Sequence, residues 1–320
     1  MPLTYSNFEI ALEKNFIYEK VPKIAVGVSG GPDSLALVIL LHLWLKKKKG
    51  KLVALIIDHR IRAESFSESL QTKRLLISKG IKSKILSVAK KKVKNDKLSQ
   101  ARINRFELLL NYCKKNNIFH LFLGHHFDDN LETFILRKIA GSNFEGLNSI
   151  QFLTILGNIQ VVRPLLLYTK KDILSFNKKL NLLFINDPSN QNTKYSRVAI
   201  RKFLNSNNNV QKEINREFRL IRDNYHSYKK MIYQILNLLI IEARFKKLVL
   251  NAKDFFSLNS ELRVKILTKG VQYVTNSNFQ IRSKKIEDLI SKISKFQKIS
   301  LKSTKTLINR IDEKIIITKV

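Results

Sequence analysis

The sequence has little of three features that would assign it to a familiar class of protein. It contains one cysteine, Cys113, which excludes an internal disulfide framework and a zinc site with four thiolate ligands. Its longest apolar run, residues 35–45, is too short to cross a bilayer and contains His42. The first residues lack a basic segment followed by an apolar core, so no secretory signal is predicted. We therefore expect a cytoplasmic protein without a membrane partner.

Acidic residues are also scarce. The chain has 25 Asp and Glu against 59 Lys and Arg, which gives a net charge of +34 and an isoelectric point near 10.2. Such a surface attracts polyanions, nucleic acid above all. A second interpretation stays open, because abundant Lys, Asn and Ile are typical of AT-rich genomes and many of the lysines could be ordinary solvated surface. With 320 residues, 44% of them apolar, the chain is expected to fold and is long enough for two domains.

Buried strands and helices alternate in the first part of the chain. Apolar runs predict strands at residues 23–28, 51–57, 84–88 and 120–124. Helical periodicity predicts helices at residues 34–45, 65–79, 98–115 and 128–140. Because the strands are continuously apolar, we predict an α/β fold in which helices cover both faces of a parallel sheet. Ligands of such sheets bind beyond the carboxyl ends of the strands.

Three polar segments directly follow predicted strands. They are SGGPDS at residues 29–34, DHRIR at residues 58–62 and GHHFDD at residues 124–129. Because the carboxyl ends of parallel strands share one edge of the sheet, we expect the three segments to meet there.

The remainder of the chain has a different character. Residues 205–209, NSNNN, are polar and lack periodicity, which is typical of a linker. Beyond it we predict helices within residues 210–245, 260–274 and 282–293, and a closing hairpin at residues 305–319. The expected organisation is a catalytic domain at residues 1–205 and a smaller, mostly helical domain at residues 210–320.

The first polar segment has the composition of a phosphate-binding turn. A glycine-rich turn between a strand and a helix presents several backbone N–H groups to one point, and the helix N-terminus adds partial positive charge. Pro32 stiffens the turn, and Asp33 offers a hard oxygen ligand to Mg²⁺. No lysine stands where a Walker A loop would have one. The expected nucleotide-binding residues of the turn are Ser29, Gly30, Gly31, Pro32, Asp33 and Ser34.

These motifs resemble a known family. SGGxDS after a first strand is similar to the signature of the PP-loop, or N-type, ATP pyrophosphatases, which cleave ATP between its α- and β-phosphates. GHHFDDNLETFILRKIAG at residues 124–141 resembles the GHHxDDxxET motif of the tRNA(Ile)-lysidine synthases within that superfamily. IDHRIR, AR followed by RF, RPLL and DPSN match in the expected order, so the resemblance covers roughly residues 20–205. It implies a Rossmann-like, adenine-nucleotide α-hydrolase-like domain and the short form of the family.

Two positions depart from the family pattern. Asn130 stands where Gln is common, and Val198 replaces the Asn of the usual RNxIR pattern. The first change is conservative, whereas the second puts an RNA or backbone contact in question.

The resemblance implies a specific reaction. ATP, with Mg²⁺, would adenylate C2–O of the wobble cytidine in a CAU-anticodon tRNA(Ile), and the ε-amine of free lysine would then displace AMP. The implied catalytic residues are Asp33, His125, His126, Asp128, Asp129 and Glu132. Beside the turn, the implied ATP-binding residues are Asp58 and His59. The implied tRNA-binding residues are Arg102, Arg105, Arg137, Arg197 and Arg201.

Several alternatives stay open. The two aspartates could cap the helix that follows them, the adjacent histidines could bind a metal, and the arginines could be solvated surface. On the same fold, a tRNA thiolase would need cysteines beyond Cys113, and a basic RNA-binding protein could merely retain an ATP pocket. The sequence also leaves a homodimer open.

Overall fold

The computed structural model describes residues 2–58, 65–87, 98–184, 196–276, 283–296, 298–303 and 305–320. The chain divides into two compact units, Met1–Ile221 and Arg222–Val320. His59, the rest of the DHRIR segment and the DPSN motif lie outside the described residues, as do the side chains of Arg102 and Arg197.

The first unit contains a six-stranded sheet with the strand order β3-β2-β1-β4-β6-β5. Its strands are β1 (Lys23–Val28), β2 (Lys51–Asp58), β3 (Ser83–Ser87), β4 (His120–Phe122), β5 (Leu153–Leu156) and β6 (Ile159–Val162). The pairs that join β3, β2, β1, β4 and β6 are parallel, and β5 is an antiparallel edge strand. The predicted parallel α/β sheet is confirmed, and the short β5–β6 hairpin adds to it.

Helices cover both faces of this sheet. The helices of the first unit are α1 (Tyr5–Asn15), α2 (Pro32–Lys48), α3 (Ser65–Ser78), α4 (Leu98–Lys115), α5 (Phe127–Ile139), α6 (Phe144–Leu147), α7 (Lys170–Lys179) and α8 (Ser196–Ser206), with a 3-10 turn at Pro164–Leu167. Alternate residues of β1 enter different cores: Ile24 and Val26 pack with α2, whereas Ala25 packs with Leu109 and Cys113 of α4. Burial on both faces explains why the strands are continuously apolar.

Helix α2 begins at Pro32, two residues before the start predicted from the sequence. Gly31 is the N-cap residue and Pro32 takes the first helical position, where a missing N–H costs nothing. The helix continues to Lys48 and ends at Lys49, which adopts a left-handed conformation with φ of 53°. Lysines in the last turn complement the negative end of the helix dipole. The N-terminus of α2 is thereby held directly behind β1.

The second unit combines helices with a five-stranded antiparallel sheet of order β7-β8-β11-β10-β9. Its strands are β7 (Ile240–Arg244), β8 (Lys247–Asn251), β9 (Lys298–Ser303), β10 (Thr306–Ile311) and β11 (Lys314–Lys319). Its helices are α10 (Ala252–Ser257), α11 (Ser260–Thr275), α12 (Ser283–Lys295) and the C-terminal part of α9 (Asn208–Leu239). Leu248, Ile315 and Ile317 of the sheet pack against Ile266 and Ile286 of the helices.

The expectation for the second unit was incomplete. The predicted hairpin is present as β10 and β11, but β7, β8 and β9 were not predicted. No glycine or proline separates the apolar run at the end of α9 from β7. The helix predicted from periodicity therefore ran on through β7. The stretch 205–209 is a break between α8 and α9, and the two units separate later, inside α9. The division into a catalytic part at 1–205 and a tRNA-binding part at 210–320 stays a prediction.

In the described part of the chain, no helix is long and apolar enough to span a bilayer.

Candidate active site

Two of the three polar segments meet at the carboxyl edge of the first unit's sheet. A Cβ atom on Gly124, which follows β4, would lie 3.2 Å from the carbonyl carbon of Asp33 and 3.2 Å from the backbone nitrogen of Ser34. Only glycine allows so close an approach of two backbones without displacement. The convergence predicted from the topology is therefore confirmed for the SGGPDS and GHHFDD segments.

Hydrogen bonds within the SGGPDS segment shape it into a tight turn. The hydroxyl of Ser34 accepts the backbone N–H of Ser29 at 3.1 Å and donates to the carbonyl of Gly31 at 3.1 Å. Gly30 has φ of +82°, in the left-handed region that favours glycine. The turn places the start of α2, with its partial positive charge, at the edge of the sheet. This geometry suits a bound phosphate group.

Two side chains of helix α7 bind the glycine-rich turn. The ammonium group of Lys170 donates to both carboxylate oxygens of Asp33, at 2.6 and 2.7 Å. The side-chain amide of Asn177, two helical turns further along, donates to the carbonyl of Pro32 at 2.9 Å. The backbone N–H of Lys170 donates to Asp128 at 2.6 Å, so α7 touches both motifs.

Sequence reasoning missed Lys170 and Asn177. Lys170 is 137 residues from its partner Asp33 and stands in no motif that carries chemistry. A weak signal was present, since Thr169 and Asp172 form a capping box that begins α7 three residues after the end of the RPLL motif. The spacing of seven residues also puts Lys170 and Asn177 on one face of the helix.

His126 is buried among three carboxylates. Its Nδ1 lies 3.4 Å from Asp128, and its Nε2 lies 3.5 Å from Asp129 and 4.0 Å from Asp33. Burial alone would lower the pKa of His126, but the close carboxylate of Asp128 and the charges of Asp129 and Asp33 outweigh it, so the pKa is raised. Burial opposes ionisation of Asp128, but the nearby imidazole of His126 and the hydrogen bond from the backbone N–H of Lys170 overcome it and lower the pKa of Asp128.

The capping interpretation holds for one of the two aspartates. Asp129 accepts the backbone N–H of His126 at 3.1 Å and so caps the N-terminus of α5. Asp128 instead faces the imidazole of His126 and the first N–H of α7. Among the described residues, no group of three or more His, Cys, Asp or Glu is arranged to hold a metal ion.

Arg201 brings α8 to the same acidic cluster. Its Nε donates to Glu132, whose side chain is 1% exposed, and its Nη2 lies 3.7 Å from Asp129. Burial would lower the pKa of Arg201, but the bond to Glu132 and the nearby carboxylates raise it. The acidic cluster of Asp128, Asp129 and Glu132 thus pairs with His126 and Arg201, and Nε2 of His126 lies 4.0 Å from Asp33 of the glycine-rich turn.

The remaining predicted residues lie in more varied surroundings. Asp58, at the end of β2, is buried and accepts the hydroxyls of Ser65 at 2.9 Å and Ser87 at 3.4 Å. Arg137 donates to the carbonyls of Gly146 at 2.6 Å and Ser149 at 3.3 Å, and its burial lowers its pKa. That guanidinium therefore stabilises the segment after α5.

Two predicted site residues, His125 and Arg105, and the family-departure residue Asn130 differ in burial. His125 and Arg105 are half-buried. Asn130 is buried and makes reciprocal bonds with the backbone of Ile150, at 2.7 and 3.0 Å. Asn130, which departs from the family pattern, thus fixes the backbone at Ile150.

Comparison with known proteins gives a consistent result. The model of the PP-loop domain matches residues 4–208. The chain is 38% identical over 200 residues to a tRNA(Ile)-lysidine synthase of Orientia tsutsugamushi (strain Boryong), covering 62% of this chain and 45% of that protein. It is 29% identical over 277 residues to a tRNA(Ile)-lysidine synthase of a Wolbachia species (subsp. Brugia malayi, strain TRS), covering 85% and 64%. The chain spans less than two thirds of the length of each of these relatives.

A solved structure supports the fold. The U34-tRNA thiolase NcsA from Methanococcus maripaludis, which holds a [4Fe-4S] cluster, superposes with a TM-score of 0.57. The match covers 70% of this chain and 78% of that one, at 19% sequence identity. At this identity the likeness shows a shared fold.

Proposed function

The chain belongs to the PP-loop family, and from that membership we propose that it is a tRNA(Ile)-lysidine synthase. It would join free lysine to C2 of the wobble cytidine in a CAU-anticodon tRNA(Ile), with ATP as the second substrate. The observation that carries the proposal is the contact of the SGGPDS turn with the segment that bears the His126, Asp128 and Asp129 cluster. The relatives named for this activity support it.

The glycine-rich turn would bind the phosphates of ATP. Its backbone N–H groups and the start of α2 offer donors and partial positive charge, and the ammonium of Lys170 stands beside them. In the first step, C2–O of the cytosine attacks the α-phosphorus and pyrophosphate leaves. Lys170 would neutralise charge that develops on the leaving group, while Ser29 and Ser34 keep the turn in shape.

The acidic cluster would serve the second step. The ε-amine of lysine attacks C2, AMP leaves, and the nitrogen loses a proton. Lysine carries ammonium groups, for which Asp129 and Glu132 are natural partners once Arg201 moves from them. His126, whose pKa is raised, is suited to take up the proton when its ring is neutral, and Asp128, whose pKa is lowered, would stay ionised and stabilise the imidazolium.

Magnesium fits this site as a partner of the nucleotide. Asp33 provides the hard carboxylate oxygen that Mg²⁺ prefers, and Mg²⁺ bound to a nucleotide takes most ligands from phosphates and water. Among the described residues no three acidic or histidine groups form a metal cage, so the phosphates would have to supply the other ligands. When bound, the ion would neutralise phosphate charge.

The tRNA would be bound by cations of the first unit. Arg105 of α4 and Arg201 of α8 have described side chains, and Arg102 and Arg197 are proposed from the sequence. We place the reaction in the cytoplasm.

A thiolase function fits less well. Cys113 is the one cysteine of the sequence, and burial raises the pKa of its thiol to about 12. A thiol in that environment is unreactive at neutral pH.

The direct test is lysine attachment. Purified protein, ATP, Mg²⁺ and labelled lysine are incubated with a transcript of CAU-anticodon tRNA(Ile), and labelled RNA, AMP and pyrophosphate are measured. We expect all three products in equal amounts. Asp33→Asn should lose turnover by at least about a hundredfold with tRNA affinity nearly unchanged. ATP cleavage without lysine in the transcript would refute the assignment.

A further inference from the structure

The β7–β8 hairpin of the second unit closes with an unusual turn. Arg244 pairs with Lys247 across the hairpin, which leaves Phe245 and Lys246 as the two turn residues. Lys246 has φ of 62°, a conformation that glycine or asparagine adopts at lower cost. The side chain of Phe245 is 85% exposed. An Asn-Gly pair would close the hairpin without a strained φ and without an exposed aromatic ring. The turn therefore indicates that these two residues contact another molecule.

A cation lies beside the exposed ring, and two more lie at the base of the turn. The ammonium of Lys246 lies 5.1 Å from the ring centre of Phe245. At the base of the turn, Glu242 accepts from Arg244 at 2.7 Å and from Lys247 at 3.2 Å, which orients both side chains. A flat apolar ring therefore stands at the end of a short hairpin with one cation beside it and two further cations paired with Glu242 at its base.

The rest of the second unit strengthens this charge pattern. Residues 222–320 contain 21 Lys and Arg against 8 Asp and Glu. Such a surface favours a polyanionic ligand. Proteins that bind single-stranded nucleic acid combine cations for the phosphates with exposed aromatic rings on which unpaired bases stack.

We propose that the Phe245 turn is an RNA-binding contact in which the ring stacks on an unpaired base and Lys246 contacts a neighbouring phosphate. The proposal rests on the proposed function only in its choice of tRNA as ligand. A membrane fits less well, because one ring flanked by charged residues on both sides buries little apolar surface.

Tryptophan fluorescence offers a direct test. The sequence has one tryptophan, Trp44, which is fully buried in the first unit, so Phe245→Trp adds a single exposed reporter. The variant is titrated with the CAU-anticodon tRNA(Ile) transcript, a short oligo-uridine and a blunt RNA duplex. We expect quenching by the first two ligands, which offer unpaired bases, and none by the duplex. The unsubstituted protein is the control for Trp44.

Affinity measurements separate stacking from charge. Phe245→Ala should weaken tRNA binding at least about fivefold and leave its salt dependence unchanged. Leu238→Ala is the matched control, because Leu238 is 83% exposed in the same unit and lacks a ring.

Lys246→Gly tests the contribution of the cation. Glycine relieves the positive φ, so the melting temperature of the variant should stay equal or rise. The magnitude of the slope of log K for tRNA binding against log salt should fall by about 0.7–0.9.

Three results would overturn the proposal. The first is equal damage from Leu238→Ala and Phe245→Ala. The second is quenching by vesicles of anionic phospholipid but not by RNA. The third is a Phe245→Trp variant that binds tRNA and attaches lysine with no change in fluorescence. Quenching without lysine attachment would instead refute the proposed enzymatic function and leave the RNA contact standing.

Discussion

At the carboxyl edge of the first unit's sheet, Lys170 and Arg201 face carboxylates, whereas at the tip of the β7–β8 hairpin Phe245 and Lys246 face solvent. The first arrangement fixes backbone segments that are far apart in the sequence. The second leaves a ring and a cation available to another molecule. Basic residues thus have two roles in this protein. A cation paired with a buried carboxylate fixes the geometry of a site, whereas an exposed cation attracts a polyanion.

The largest expected difference between the two regions is in stability. Glu132→Gln removes a buried carboxylate from Arg201, and we expect the free energy of unfolding to fall by roughly 1–3 kcal/mol. Glu242→Gln is the matched control, since Glu242 pairs with Arg244 and Lys247 but is partly exposed, and its loss should cost less than about 1 kcal/mol. Urea unfolding of both variants measures the difference. Equal losses would show that burial does not distinguish the two clusters.

Asn177 tests how firmly α7 positions the turn. Asn177→Ala removes the bond to the carbonyl of Pro32, and we expect the KM for ATP to rise roughly threefold to tenfold with the KM for lysine unchanged. Leu174→Ala, on an exposed face of the same helix, should change neither value. A rise in both KM values for Asn177→Ala would indicate a general loss of structure instead.

The smallest expected effect is the titration of His126. The folded-state pKa of His126 is raised above its ordinary value of about 6.5, so the imidazolium adds stability that is full below pH ~6.5 and is lost as pH rises through the folded pKa. NMR should therefore show one imidazole, absent from His126→Asn, that titrates above the ordinary range. An ordinary or lowered pKa for that signal would contradict the carboxylate-lined pocket.

Much of the first unit followed from local sequence patterns. Continuous apolar runs predicted β1 to β4, and the topology rule then placed the SGGPDS and GHHFDD segments at one edge. Gly124 is the clearest case, because its lack of a Cβ is what lets the two segments touch. The family model and the named relatives agree with the interpretation of these motifs.

Contacts between distant segments could not be predicted in this way. Lys170 and Asn177 meet the turn across 137 and 145 residues, and no local pattern specifies such a pairing. Arg201 resembled a surface cation in the sequence, but the fold of α8 brings it to the buried Glu132. The β7–β8 hairpin was missed because Phe245 and Lys246 are not residues that normally form tight turns.

The central claim is that the glycine-rich turn and the acidic, histidine-bearing segment beside it form one nucleotide site. A crystal structure with a non-hydrolysable ATP analogue tests it most directly. We predict that the phosphates contact the backbone of residues 29–34, that Lys170 exchanges Asp33 for a phosphate oxygen, and that the α-phosphate faces His126. An analogue bound elsewhere on the chain, with the Lys170–Asp33 pair intact, would contradict the account.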